Sequence, residues 1–181
     1  MCAEPLASSA PTGEGNEPMA RILKLGFVTF GFLGLAPVAP GTFGTLGGVL
    51  LAWLFVQAGW SFPVAVLVAC TLLYAIGRSL GEWAEAYAGG KDPGFFVVDE
   101  VIGYLVTILW VRPPSLTALV VAFLVFRFFD IAKPPPVKRF EAIGGGDGIL
   151  LDDVVAGVYG LLVMTLLRFF VLEPGAWVHA V

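Results

Sequence analysis

Five apolar runs set the terms on which this chain can fold. They cover Leu46–Trp60, Phe62–Ile76, Phe95–Val111, Ser115–Phe129 and Ile149–Leu172, and short breaks of proline, glycine or charge separate them. Runs of this kind read as helices, and the Ser61-Phe62-Pro63 punctuation between the first two suggests a helical hairpin. Charged residues make up only 13% of the 181 positions and hydrophobic residues 58%. An ordinary soluble domain is about 25% charged, so a membrane-embedded chain is the better reading. A crossing helix needs roughly 20 residues. Several of these runs are nearer 15, a length that also suits a buried core helix. A locally thinned bilayer would reconcile short runs with a membrane. The expected fold is all-α: a compact membrane-embedded bundle of about five helical segments plus an N-terminal amphipathic helix. That helix would lie within residues 19–35, which carry Arg21 and Lys24. Residues 19–172 read as a single domain. Residues 1–18, rich in Ala, Ser, Pro, Gly and Glu, read as a disordered tail, and 173–181 as a C-terminal tail. The first 18 lack the cationic and apolar regions of a signal peptide.

The charges are few but grouped. Arg127, Asp130 and Lys133 stand three apart at the end of the fourth run. At about 100° per residue they share one side of a helix, which Pro134, Pro135 and Pro136 then stop. A snorkelling helix end accounts for Arg127 and Lys133 but not for Asp130 between them. Asp99-Glu100 sits in the first turns of the third run and Asp152-Asp153 in the first turn of the fifth. A helix N-terminus favours an anion, yet stability alone would call for one carboxylate per helix. Two adjacent pairs, with Asp92 and Asp130, place like charges near one another. A bound cation relieves that repulsion, and oxygen-only ligands point to Mg²⁺, Mn²⁺ or Ca²⁺ rather than zinc. Helix caps and ion pairs to Arg127 and Lys133 are the structural alternative.

Runs joined by short loops alternate in direction. That alternation collects the Pro40-Gly41-Thr42-Phe43-Gly44-Thr45 loop, Lys91-Asp92, Asp99-Glu100, the Arg127/Asp130/Lys133 stripe and Asp152-Asp153 on one face. Arg21, Lys24, Arg78, Lys91, Arg127, Lys133, Lys138 and Arg139 fall on that face, against Arg112 and Arg168 at the other. The positive-inside rule makes the charged face cytoplasmic. The Pro-Gly-Thr loop offers backbone amides and hydroxyls suited to phosphate, and Lys133 with Arg127 would complete a clamp. Gly103, Ala156 and Gly157 place a small residue one turn below each acidic pair, where helices could pack closely.

Other chemistries lack their residues. A net charge of −4 without a basic tract gives nucleic-acid binding no support. The one histidine, His179, is near the C-terminus, which excludes histidine-nucleophile phosphatases. Cys2 and Cys70 form neither a disulfide framework nor a CxxC pair, and Cys70 lacks the arginine loop of cysteine phosphatases.

Four segments in order resemble the phosphatidylglycerophosphatase A family. They are Ala39–Thr45; Asp92-Pro93 through Asp99-Glu100 with Gly103; Phe126–Pro134 with Pro136; and Gly145–Ile149 through Asp152-Asp153 with Ala156-Gly157. The resemblance covers about residues 24 to 165. Phe95, where relatives often carry an acidic residue, and Leu150, where methionine is common, depart from the pattern. The resemblance implies a multi-pass protein of the bacterial inner membrane, a Mg²⁺-dependent phosphatase with its active site facing the cytoplasm. It would hydrolyse phosphatidylglycerophosphate, a membrane phospholipid, to phosphatidylglycerol and phosphate.

On that reading Asp99, Glu100, Asp130 and Asp153 are the catalytic candidates. Mg²⁺ would be held by some of Asp99, Glu100, Asp130, Asp152 and Asp153. Gly41, Thr42, Thr45, Arg127 and Lys133 would bind the substrate phosphate. Attack by water and attack by a carboxylate both stay open. So does a phosphatase of another lipid phosphate. A small transporter using intramembrane carboxylates is the competing class, and it would want charges near mid-membrane on broken helices. A non-catalytic scaffold would have no use for paired carboxylates beside a Pro-Gly-Thr segment. The sequence sets no oligomeric state.

Overall fold

Proline and glycine mark where the helices begin and end. The computed structural model describes residues 17–135, 137, 143–170 and 174–179. Most of the expected N-terminal tail, with Lys138 and Arg139, lies outside the described residues. Six α-helices are present among the described residues, with no strand. They are α1 Glu17–Val28, α2 Pro40–Gln57, α3 Phe62–Ala88, α4 Val98–Ile108, α5 Leu116–Ala132 and α6 Gly145–Phe170. The all-α bundle is as expected, and α2, α3 and α6 are long and apolar enough to cross a membrane.

Three boundaries of the apolar runs shift by four residues or more from the sequence expectation. Pro40 opens α2, so Gly41–Thr45 is the start of a helix rather than a loop. Proline suits a first helical position because the amide it lacks would have no partner there. α3 does not stop at Ile76 but runs through the polar stretch to Ala88, where Gly89 caps it in the left-handed conformation. Gly77, Gly81 and Ala84 continue its buried face. α6 starts at Gly145, ahead of Ile149. An ideal Cβ on Gly146 would fall 2.6 Å from the Arg78 Cα, so only glycine lets the start of α6 lie against α3. The first-turn acid of α6 is therefore Asp147, not Asp152 or Asp153.

α4 is the axis of the bundle. Nine of its eleven residues are buried, and it packs against α2, α3, α5 and α6. At 1.5 Å per residue it is only about 16 Å long, so it is a core helix and cannot cross a bilayer. Its tightest partner is α6. An ideal Cβ on Gly157 would lie 3.1 Å from the Gly103 Cα, and one on Gly103 would meet Phe126 and the Asp153 carbonyl. Glycine at both places lets the two backbones touch. Thr107 Oγ1 then donates to the carbonyls of Gly103 and Gly157 at 3.0 and 3.3 Å.

Ser115 caps α5 by accepting from the Ala118 amide. Its hydroxyl also donates to the Ala176 carbonyl, and Trp177 and Val178 pack beside Pro114. The described end of the chain is thus built into the bundle, with Trp177 buried in the main core.

Candidate active site

Helix starts and helix ends meet at one level of the bundle. Asp99 and Glu100 occupy the first turn of α4. Asp153 faces them from α6 because Gly103 and Gly157 hold those helices together. Carboxylate oxygens of Asp99, Glu100 and Asp153 lie within 4.8 Å of one another. Asp99 and Asp153 are buried, at 6% and 4% exposure, and Glu100 is partly so. Asp130 stands beside Glu100 and Asp153.

Two cations flank the acids. Arg127 Nη1 donates to Asp130 Oδ2 one turn along α5. Lys133 Nζ donates to Asp152 Oδ2 at 3.0 Å, joining the end of α5 to α6. Lys133 is the α5 C-cap, with φ 40°. The following proline disfavours a right-handed helical turn there, and in the left-handed turn its side chain reaches Asp152 on α6. Ala39 and Asp92 share this state, at φ 48° each, and each also precedes a proline. Asp92 lies near Asp152.

The start of α2 closes the site on one side. An ideal Cβ on Gly41 would overlap Glu100 Oε1 and lie 3.1 Å from Arg127 Nη1. Glycine there admits both side chains to the helix start. The segment does not offer the set of free amides expected of a loop, since Thr42 and Phe43 both donate to the Ala39 carbonyl, at 2.9 and 3.4 Å. Thr45 is buried, and its hydroxyl donates to the Gly41 carbonyl at 2.8 Å. Thr42 is partly exposed at the same helix start.

The residues expected to hold the metal or the phosphate thus lie at this end of the bundle, but not in one shell. Asp99, Glu100 and Asp153 form the tight group. Asp130 and Asp152 stand around it, each tied to a cation. One pair was not singled out. Tyr74 and Arg78 both donate to the Asp147 carboxylate, at 2.8 and 2.9 Å, and fasten α3 to the start of α6. Reading α3 onward past Ile76 would have found it.

The donor set suits a hard cation. All three ligand candidates are carboxylates, and nitrogen and sulfur donors are absent from the group. Glu100 Oε2 is buried with no hydrogen-bond partner among the described residues. A buried carboxylate oxygen left unpaired is costly, and a divalent ion would satisfy it while offsetting the repulsion among three acids.

Residues 26–168 match the family model for phosphatidylglycerophosphatase A. A phosphatidylglycerophosphatase A from Haemophilus influenzae is 32% identical over 163 residues, covering 87% of this chain and 98% of that protein. One from Escherichia coli is 33% identical over 139 residues, covering 76% of this chain and 77% of that protein. A Bacteroides thetaiotaomicron protein, provisionally named a phosphatidylinositol-3-phosphatase, is 33% identical over 144 residues, covering 76% and 89%. No solved structure matches the chain.

Proposed function

Since the chain belongs to the phosphatidylglycerophosphatase A family, we propose that its acidic cluster hydrolyses the phosphate monoester of phosphatidylglycerophosphate, releasing phosphatidylglycerol and phosphate. The observation that carries this reading is the meeting of Asp99, Glu100 and Asp153 within 4.8 Å, flanked by Arg127 and Lys133. Acids concentrated at one end of the bundle suit a headgroup reaction better than an ion path through the membrane.

Asp99, Glu100 and Asp153 would hold Mg²⁺, which when bound neutralises phosphoryl charge as a Lewis acid. The rest of the work falls to side chains. Lys133 and Arg127 present N–H donors to the phosphate oxygens and hold them in place. Each is already paired to an aspartate, so the substrate phosphate joins existing ion pairs instead of displacing water from bare cations. Asp130 and Asp152 keep those two cations oriented while the site is empty of substrate.

Two openings suit the rest of the lipid. A groove of about 520 Å³ between α3, α4 and α6 is lined by Cys70, Tyr74, Ile102, Val106 and Val154 and reaches Arg78. Its apolar walls suit an acyl chain. A cavity of about 240 Å³ holds Glu85, Lys91 and Asp92. Its three charged side chains suit the glycerol headgroup. The positive-inside count supports a cytoplasmic site, within reach of lipid in the inner leaflet of the bacterial inner membrane.

The test is phosphate release by purified protein from phosphatidylglycerophosphate, phosphatidate, phosphatidylinositol 3-phosphate and a soluble monoester, each with Mg²⁺ and with chelator. Rapid release from the first substrate, dependent on Mg²⁺, is expected. Faster release from the inositol lipid would transfer the assignment to the activity named for the Bacteroides relative. No release from any lipid would end it.

A further inference from the structure

The other end of α6 carries a charge that the acidic site does not use. Arg168 lies about 22 Å along the helix from Asp153, at 1.5 Å per residue. It is only 6% exposed. None of its three guanidinium nitrogens has a hydrogen-bond partner among the described residues. Trp177 Nε1, on the Pro174–Trp177 turn, is buried and unpartnered in the same way. Both side chains line one cavity of about 260 Å³, together with Trp110, Arg112 and Phe169.

A purely structural reading leaves much of this unexplained. An arginine at a helix C-terminus is favoured by the helix dipole, but it normally snorkels to water with its nitrogens solvated. Here the guanidinium is withdrawn under Trp110, with Cζ 4.3 Å from the ring centroid. That stacking satisfies the face of the cation, while its N–H donors lie in the plane and point elsewhere. A planar fork of donors, an indole N–H and a second arginine at one cavity match the oxygens of a phosphate group. The surroundings indicate how such a group arrives. Val111 and Phe169, which line the cavity, are 76% and 70% exposed, so apolar side chains flank its opening beside Arg112. Such a rim suits a phosphate that comes attached to acyl chains.

We propose that the Arg168–Trp177 cavity binds a phosphate oxyanion at the end of the bundle opposite the acidic site, with a phospholipid headgroup as its source. These donors are enclosed in the resting structure, so binding turns the Arg168 and Trp177 side chains toward the cavity, where the phosphate accepts from them and pins the Pro174–Trp177 turn against α6. The site is separate from the proposed hydrolysis and stands whether or not that assignment holds.

Thermal unfolding of the full chain in non-ionic detergent micelles tests it. Three additions are compared: phosphatidylserine, inorganic phosphate and diacylglycerol. Phosphatidylserine is a phosphodiester, so it offers no monoester to the acidic site. The wild type is expected to gain several degrees in Tm with phosphatidylserine and nothing with diacylglycerol, and Arg168→Met to lose that gain. Trp177→Phe, which keeps the ring and removes the donor, should reduce it. This milder variant carries the test if Arg168→Met does not fold. An Arg168-dependent gain with inorganic phosphate alone would support the site and make the free ion its ligand. If neither phosphate source raises Tm in the wild type, or the variants gain as much as the wild type, the site does not exist.

Discussion

Lys133 Nζ lies 3.0 Å from Asp152 Oδ2, and this one contact ties the end of α5 to the acidic stretch of α6. The side chains are 24% and 7% exposed, so neither is well solvated. Removing the cation leaves Asp152 Oδ2 without its lysine donor while Oδ1 still accepts from the Asp153 amide, a loss of about 1–3 kcal/mol. Lys133→Gln should therefore lower both Tm and turnover. Adding Asp152→Asn should restore much of the Tm but not the turnover, because the phosphate still lacks its cation. A double-mutant cycle in chemical denaturation measures the coupling. Additive effects would show that the pair is incidental.

Asp99→Asn and Asp153→Asn should each cut phosphate release by at least about 100-fold, the scale of losing one charged group from an electrostatic site. Each variant should fold, with Tm equal to the wild type or higher, since the change relieves like-charge repulsion. Chelator should abolish wild-type activity and Mg²⁺ restore it. Full activity in either variant would remove that residue from the ligand set.

The contact between α4 and α6 leaves no room for a methyl group. An ideal Cβ on Gly157 would lie 3.1 Å from backbone atoms of Gly103. Gly157→Ala should destabilise by about 1–3 kcal/mol, as overpacking does, and loosen the acidic cluster one turn above it. Gly94→Ala is the control, since nothing lies within 4 Å of its Cβ position. Equal Tm in the two variants would contradict the close contact.

Ser115 both caps α5 and donates to the Ala176 carbonyl. Ser115→Ala should cost about 1–2 kcal/mol, the upper range for a lost cap, because the C-terminal turn loses its tie as well. Amide exchange at Trp177 and Val178 should quicken in parallel. Unchanged exchange there would separate the cap from the turn.

The acidic cluster was legible because its chemistry is local. Asp99-Glu100 and Asp152-Asp153 are adjacent pairs inside apolar runs, and hydropathy fixed which helix ends face each other. Helix boundaries were harder where tertiary contact overrode composition. Gly144–Gly148 is glycine-rich and lies ahead of the fifth apolar run, yet Gly146 is helical and packs against α3. The polar stretch from Arg78 to Asp92 separates two apolar runs, yet α3 continues through it to Ala88 with Gly81 and Ala84 buried. α4 kept the apolar look of a membrane span although only eleven residues are helical, since burial by protein and burial by lipid select the same side chains. Arg168 entered the sequence argument only as a charge to be counted, because nothing local shows that its nitrogens are enclosed.

Among the described residues, Ala39, Asp92 and Lys133 are the three left-handed ones that precede prolines, and they stand where the chain turns into or out of the acidic site. Each holds a conformation that costs a side-chain-bearing residue roughly 1–2 kcal/mol. Selection for robustness alone would have put glycine at such corners. A catalyst that needs its walls fixed at ångström tolerance gains from stiffness that a merely durable fold does not require. Ala39→Gly should accordingly tolerate more heat and turn over more slowly, an exchange between endurance and accuracy that is set at a single bend of the backbone.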